Sequence, residues 1–171
     1  MEVRPAVSLD VDAIAETHVL SWRETYAGQV PQDYLDSLSV EQRRNVWTNA
    51  YADAASSSAA VLVLTHNGEV VGCAHVCSSR DSDAPDGVGE VTSIYIRRTY
   101  WSLGGGQTLM AEALGALARN GYAAATLWVL ETNIRARRFY EANGRQVDGA
   151  EKLDTIGGVE VKEIRYRQSL I

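Results

Sequence analysis

Two strand-like runs with a helix-like run between them constrain the fold of this chain more than any other feature. The runs "EVTSIYI" (90–96) and "AATLWVL" (124–130) are short and rich in apolar residues. Between them, "QTLMAEALGALARN" has the length and apolar periodicity of a helix that Asn120-Gly121 would end. A strand–helix–strand crossover joins parallel strands by a right-handed connection. The sequence therefore predicts a sheet that is parallel at this point.

The remaining segments predict antiparallel strands and further helices around the crossover. Asn67-Gly68 joins "AVLVLT" to "EVVGCAHVCSS", and this dipeptide between apolar runs is the strongest short signal for a β-hairpin. A short strand (3–7) and two helical regions precede the hairpin, and a strand pair around "DTIGG" ends the chain. The predicted order is β-α-α-β-β-β-α-β-α-β-β. We expect an α/β fold with a central mixed sheet flanked by helices, in a single domain over residues 1–171.

Charge and composition narrow the possible functions. The chain has 171 residues and a net charge of −6 at pH 7, which disfavours binding to nucleic acid. No segment approaches the ~18 apolar residues of a membrane-spanning helix, and the run "MEVRPAVSLD" lacks the apolar centre of a signal peptide. Cys73 and Cys77 are too far apart along a strand to form a disulfide, and they offer too few ligands for a metal. We expect a cytoplasmic protein with free thiols, no metal and no membrane contact.

The run "LGGGQTLM" lies between a predicted strand and a predicted helix. A helix start exposes unpaired N–H groups, and glycine lets an anion approach the backbone closely, so a phosphate is a natural ligand. The run is not a P-loop, because Gln107-Thr108 follows Gly106 where Lys-Ser/Thr would be needed. It is not a dinucleotide-binding fingerprint either, because Leu109 stands at the third glycine position. A phosphate cradle and a flexible turn both remain open on this run alone.

The helix after the second crossover strand carries an unusual polar stripe. A period of 3.6 residues aligns Asn133, Ala136, Arg137 and Tyr140, while Arg135 lies off the stripe and is expected to be solvated. Asn133 is a good N-cap and Tyr140 could be an aromatic residue at the rim of the core. Alternatively, both side chains lie at the carboxyl ends of parallel strands, where ligands of α/β sheets bind. In that case they share one crevice with the glycine turn.

These residues resemble the GNAT acetyltransferase superfamily over essentially the whole chain. Its first motif is Q/R-x-x-G-x-G/A, which Gly104 and Gly106 match. The second motif, N-x-x-A-x-x-F-Y-x-x-x-G, is the specific one, and it is matched in full spacing by Asn133, Ala136, Phe139, Tyr140 and Gly144.

The chain departs from the family around the glycine turn. Trp101 stands where Gln or Arg is usual, Ser102-Leu103 replaces Gly-Arg, and Arg98 replaces a common Pro. Some side-chain contacts to phosphate would then be lost, or would move to Arg97 or Arg98. The backbone cradle needs only the glycines and the helix start, so binding of acetyl-CoA is still expected.

The resemblance implies transfer of an acetyl group from acetyl-CoA to a primary amine of a small molecule or peptide, by direct attack in a ternary complex. The residues that it implies for acetyl-CoA fall into three groups. The backbone of one predicted strand would pair with the pantetheine arm, and the glycine turn would wrap the pyrophosphate. The helix after the second crossover strand would contact the pantetheine or phosphate arm. In order these are Ile94, Tyr95 and Ile96; Leu103, Gly104, Gly105, Gly106, Gln107 and Thr108; and Asn133 with Arg137.

Amine acylation needs a base and an acid. An alkyl amine with a pKa near ~10.4 is mostly protonated at neutral pH and must lose a proton before it attacks. Glu90 is the predicted base, with a solvated charge at the strand end as the alternative. Tyr140 is the predicted acid that protonates the leaving thiolate.

The acceptor remains open at this stage. Trp22, Tyr26 and Tyr34 are predicted to line its side of the cleft, which would suit a small metabolite, an amino acid or a peptide terminus. A non-catalytic acyl-CoA-binding or regulatory module on the same fold is the alternative function. A homodimer through the C-terminal strands is expected only from the habit of the family.

Overall fold

The computed structural model describes residues 1–171 as one seven-stranded mixed sheet with helices on both faces. The strands are β1 (Glu2–Pro5), β2 (Ala60–His66), β3 (Glu69–Ser78), β4 (Val88–Ile96), β5 (Ala124–Leu130), β6 (Gln146–Ile156) and β7 (Val159–Ser169). The helices are α1 (Val11–Thr25), α2 (Gln32–Ser37), α3 (Val40–Ala54), α4 (Gly105–Arg119) and α5 (Ile134–Ala142). The predicted α/β class and mixed sheet are confirmed.

The sheet order is β1-β2-β3-β4-β5-β7-β6. Only β4 and β5 pair in parallel, and α4 connects them, so the crossover predicted from the sequence is present. All other neighbours are antiparallel. The hairpin at Asn67-Gly68 is also present, and both residues have positive φ, as a two-residue type I′ turn requires. No helix combines the length and apolarity needed to cross a membrane.

The predicted element order missed one helix. The second helical region was treated as one element, but it consists of α2 and α3. Leu38 and Ser39 adopt extended backbone conformations that separate them. The Ser39 hydroxyl accepts a hydrogen bond from the Gln42 N–H and so caps α3.

The two faces of the sheet carry different cores. On one face α4 buries Leu109, Met110, Ala113 and Leu117, which recur at helical spacing and pack with α5. On the other face α1 and α3 pack against β2 and β3 around residues such as Trp47. The sheet is therefore enclosed between two helical layers, and any ligand at its centre must enter through a gap between strands.

Such a gap exists between β4 and β5. They pair only where Val88–Glu90 lies beside Ala124–Thr126, and the rest of each strand runs on without the other. Thr92 has no partner in β3 either, because Ser93 pairs with His75 and Val91 pairs with Val76. Such a bulge bends a strand and increases its twist. The bend turns the second half of β4 away from β5 and opens the sheet.

Candidate active site

A cavity of about 570 Å³ fills the gap between β4 and β5. Its size lies within the roughly 300–1,000 Å³ range of small-molecule sites. The second half of β4 forms one wall, and β5 with α5 forms another. The start of α4 and the end of α1 close two further sides. Elements that are distant in sequence therefore meet at one site.

The β4 wall offers unpaired backbone groups. Beyond Glu90, β4 has no strand partner on the side of β5, so N–H and C=O groups of alternate residues face the cavity. Ile94, Tyr95 and Ile96, which were predicted to contact the cofactor arm, all line it. An extended amide-bearing ligand could pair with this edge as an added strand does.

The glycine turn forms the start of α4. Gly104 is the N-cap with φ of +85°, a conformation that favours glycine, and it lines the cavity with Gly106 and Gln107. Gly105 is a packing requirement, since a Cβ there would lie 2.7 Å from a methyl of Leu64. The structure does not place three of the predicted residues in the cavity lining: Leu103, which is 59% exposed, Gly105 and Thr108.

Beside the glycine turn, two guanidinium groups lie over one indole ring. Arg135 lies 3.4 Å and Arg98 lies 5.8 Å from the centre of the Trp101 ring, within the range of cation–π contacts. Neither arginine forms a salt bridge within the protein. Burial, together with the positive charge of Arg98, lowers the pKa of Arg135. Two adjacent guanidinium groups without a salt bridge make this end of the cavity suited to an anion.

Trp101 fixes this pair of cations to the sheet. Its indole N–H donates to the carbonyl of Ile96 at 2.8 Å. Arg137, predicted to contact the cofactor, instead turns away from the cavity and donates to the Tyr166 hydroxyl and the Glu131 carbonyl, at 3.4 and 3.1 Å. The first turn of α5 instead presents Arg135 to the cavity, a residue that the sequence analysis expected to be solvated.

Asn133 and Tyr140 both line the cavity. Asn133 is 6% exposed, and its Oδ1 accepts a hydrogen bond from the Ala136 N–H at 3.2 Å, so it caps α5 as well. Tyr140 is 7% exposed, and burial raises the pKa of its hydroxyl. This phenol therefore keeps its proton at neutral pH and remains a potential proton donor.

Glu90 lies elsewhere. The residue is 2% exposed, and its carboxylate accepts hydrogen bonds from the Arg80 side chain, at 2.7 and 3.1 Å, and from the Arg80 N–H at 3.1 Å. It is therefore not the solvated strand-end charge considered as the alternative. Glu90 is also not among the residues that line the cavity. Its ion pair instead holds the start of the β3–β4 loop.

The acceptor end of the cavity is aromatic. Trp22 and Tyr26, one helical turn apart near the end of α1, line it with ring centres 4.7 Å apart. Tyr34, the third residue predicted here, lies behind Trp22 at 6.2 Å between ring centres and does not line the cavity. Burial raises the pKa of Tyr26 to about 12, so it too stays protonated at neutral pH.

Two residues of the acceptor end were missed by sequence reasoning. Trp128 of β5 and Glu163 of β7 both line it. Lys152 joins them, since its Nζ lies 4.3 Å from the centre of the Trp128 ring and 3.1 Å from Glu163 Oε2. The Trp128 indole N–H also donates to Asp81 at 2.9 Å. No local pattern could reveal the pair, because β7 is inserted between β5 and β6 only in the folded sheet.

Arg165 fixes the loop behind Trp128. Its guanidinium donates to Asp81 at 3.0 Å, to Asp83 at 2.8 and 2.9 Å, and to Asp148 at 2.8 Å. These three carboxylates raise the pKa of Arg165, Asp83 contributing most. The β3–β4 loop is thereby tied to β6 and β7, and Asp81 is held where it meets Trp128.

The two cysteines are free, and neither lines the cavity. Burial raises the pKa of both Cys73 and Cys77, so neither favours the thiolate that a covalent route would need. Burial also lowers the pKa of His18 to about 3, and its Nδ1 accepts a hydrogen bond from Trp47. His18 is therefore a neutral residue of the core.

Comparisons with known proteins agree on one family. A model described as Acetyltransferase (GNAT) family matches residues 17–144. YuaI, an uncharacterized N-acetyltransferase of Bacillus subtilis, is 30% identical over 162 residues, which cover 95% of this chain and 89% of the relative. Rv2669, an uncharacterized N-acetyltransferase of Mycobacterium tuberculosis, is 31% identical over 90 residues, which cover 53% of this chain and 54% of the relative.

Solved structures share the fold. The PaiA N-acetyltransferase of Thermoplasma acidophilum, in complex with coenzyme A, has a TM-score of 0.79 at 22% identity, covering 98% of each chain. YncA, a putative acetyltransferase of Salmonella typhimurium with acetyl-CoA, has a TM-score of 0.76 at 20% identity, covering 100% of this chain and 94% of its own. At these identities the likeness concerns the fold.

Proposed function

Because this chain belongs to the GNAT acetyltransferase family, it is an acyltransferase, and we propose that it moves the acetyl group of acetyl-CoA to a primary amine of a small molecule or peptide. The observation that carries the proposal is the gap between β4 and β5. It combines an unpaired strand edge, a helix start and a protonated tyrosine in one cavity.

The cavity offers matching contacts for each part of acetyl-CoA. In the proposed complex the pantetheine amides pair with the free edge of β4 around Ile94–Ile96. The pyrophosphate lies at the start of α4, where Gly104 and Gly106 leave the backbone N–H groups accessible. Arg135 and Arg98 supply the positive charge that the altered sequence at the turn no longer provides.

The chemistry is direct aminolysis of the thioester. The free amine attacks the carbonyl carbon, a C–N bond forms, and β4 N–H groups stabilise the oxyanion. The C–S bond then breaks, and the Tyr140 hydroxyl donates its proton to the departing thiolate. Tyr140 regains a proton from water that has accepted one from the amine nitrogen. Starting from the ammonium form, the whole reaction releases one proton.

Removal of the first proton from the ammonium group requires an acceptor. Glu90 was the sequence-based choice, but its carboxylate is occupied by Arg80 and does not line the cavity. We therefore favour water in the cavity as the proton acceptor. Glu90 remains open to direct test by substitution.

Thiol release from acetyl-CoA with a panel of primary amines tests the function. Amine-dependent release of coenzyme A with formation of the N-acetyl product is the expected result. Tight binding of acetyl-CoA without turnover on any amine would instead favour the acyl-CoA-binding module. The altered positions around Trp101 give that alternative little support, because Arg98 and Arg135 lie over the Trp101 ring and Arg135 lines the cavity.

A further inference from the structure

Only two of the side chains that line the cavity carry a formal charge, namely Arg135 and Glu163. Arg135 belongs to the first turn of α5, which packs on the α4 face of the sheet. On β7, Ile164 and Tyr166 point into that same core, so strand alternation directs Glu163 to the opposite, α1 face. The gap in the sheet thus has a cation on one face and a carboxylate on the other.

Glu163 lies in an aromatic setting with no free cation beside it in the lining. Trp22, Tyr26 and Trp128 line the same end of the cavity. Its charge acts on Tyr26, since Glu163 contributes to the raised pKa of that phenol. The Glu163 side chain is 18% exposed, and its one salt-bridge partner, Lys152, lies outside the lining. The low exposure strengthens an ion pair between Glu163 and a ligand, because little water screens it.

We propose that Glu163 is the counter-ion that binds the ammonium group of the acceptor. The acceptor is then a primary amine on an apolar or aromatic body, with no carboxylate next to the nitrogen. The aromatic side chains contact that body and also face the cation. The acceptor amine binds to the Glu163 carboxylate as an ammonium ion, and acetyl transfer then follows the mechanism proposed above. This inference rests on the proposed function for turnover but not for binding.

Two other acceptor classes fit this end less well. A free amino acid would bring its α-carboxylate close to Glu163. The cations at this end, Lys152 and Arg165, are already paired with carboxylates and leave that charge uncompensated. A polyamine would need several carboxylates, but Glu163 is the only one in the lining. A single carboxylate among aromatic rings therefore favours a single positive charge.

Phenethylamine and phenylalanine form a matched probe pair, because they differ only in the α-carboxylate. For the wild-type protein we expect kcat/KM to be at least about tenfold higher for phenethylamine. Glu163→Gln should raise KM for phenethylamine about tenfold, leave kcat within about threefold and leave KM for acetyl-CoA unchanged. The preference for phenethylamine over phenylalanine should shrink towards equality in this variant, because the repulsion is removed with the attraction.

Two control variants separate binding from structure. Glu160→Gln removes an exposed carboxylate from the same strand and should behave as wild type. Lys152→Met removes the partner of Glu163 and should not raise KM for the amine. If Glu163 only anchored Lys152, the two substitutions would have the same effect, and the inference would fall.

Calorimetric titration of phenethylamine into the complex with coenzyme A distinguishes failure of the inference from failure of the function. Binding that is lost in Glu163→Gln but is never followed by acetyl transfer would support the inference and overturn the acetyltransferase proposal. Acetyl transfer to phenethylamine that is unchanged in Glu163→Gln would overturn the inference alone. Equal or better use of phenylalanine by the wild-type protein would also overturn it.

Discussion

Two tryptophans at the two ends of the cavity carry cations over their rings, and they differ in how those cations are neutralised. The guanidinium groups of Arg135 and Arg98 lie over Trp101, and neither forms a salt bridge. Lys152 and Arg165 approach Trp128, and both are paired with carboxylates. The same ring contact therefore leaves charge available for an anionic ligand at one end. At the other end the cations over Trp128 are neutralised by carboxylates. One of these carboxylates, Glu163, lines the cavity.

The largest effect should come from Tyr140, which lies between these two ends. Tyr140→Phe should lower kcat about 100-fold and leave both KM values nearly unchanged, because it removes the proton donor and no charge at either end. Steady-state kinetics from pH 7 to 9 measure this. Since burial raises the pKa of Tyr140, the wild type should not lose this proton donor in that range.

Tyr166→Phe is the matched control, because it removes a hydroxyl from the neighbouring ring, 5.6 Å away, which does not line the cavity. A Tyr140→Phe enzyme with near-normal kcat over this pH range would show that the thiolate leaves without this acid. The charge difference between the two ends would be unaffected, but the leaving thiolate would need another proton donor.

The next largest effect should be at the Trp101 end. The double substitution Arg98→Gln/Arg135→Gln should raise KM for acetyl-CoA about 20-fold, because two unpaired cations are lost near the phosphates. The wild-type KM should rise with salt, and this dependence should weaken in the variant. Arg137→Gln, on the same helix but turned away, is the control. If Arg137→Gln alone raised KM for acetyl-CoA, the sequence-based prediction that Arg137 contacts the cofactor would be supported instead.

A smaller effect on activity, and a clear one on stability, is expected at the Trp128 end. Arg165→Met leaves three aspartates without their partner and should lower Tm by about 5 °C. KM for acetyl-CoA should not change, and KM for the amine should rise about threefold as the Trp128 wall loosens. Scanning calorimetry measures the change in Tm, and steady-state kinetics measure the two KM values.

Arg167→Met, on the same strand and without a salt bridge, is the control. A loss of acetyl-CoA binding in Arg165→Met would mean that the two ends are not independent.

The smallest effect on rate is expected at Glu90. Glu90→Gln should change kcat by less than about threefold and lower Tm by a few degrees, because the carboxylate pairs with Arg80 outside the cavity. A pH–rate profile checks this. Loss of the acidic limb of that profile, with Tm preserved, would identify Glu90 as the base after all.

The sequence predicted what is local. The crossover, the hairpin at Asn67-Gly68 and the cap at Asn133 each follow from neighbouring residues, and all three are present. The break between α2 and α3 was missed because Ser39 caps a helix inside a region that is helical on both sides. Tyr140 lines the cavity together with Asn133, since their motif fixes the distance between them along one helix.

The sequence could not predict what depends on strand order. Glu163 and Trp128 are far apart in the chain, and they share a wall only because β7 pairs with β5. Glu90 lies outside the cavity lining for a related reason. The alternation of residues along β4 predicts which face of the sheet a side chain occupies. The point at which β4 diverges from β5 depends on the bulge at Thr92, and Glu90 precedes that point.

The divergence of β4 and β5 has a thermodynamic consequence. A sheet that opens at its centre is missing a row of hydrogen bonds, and an extended substrate can complete it as a short additional strand would. Acetyl-CoA would then be part of the folded architecture as well as a reactant. Its binding would add about 2.7 kcal/mol of stability at a concentration 100 times its Kd. The protein would be most completely folded when it is ready to react.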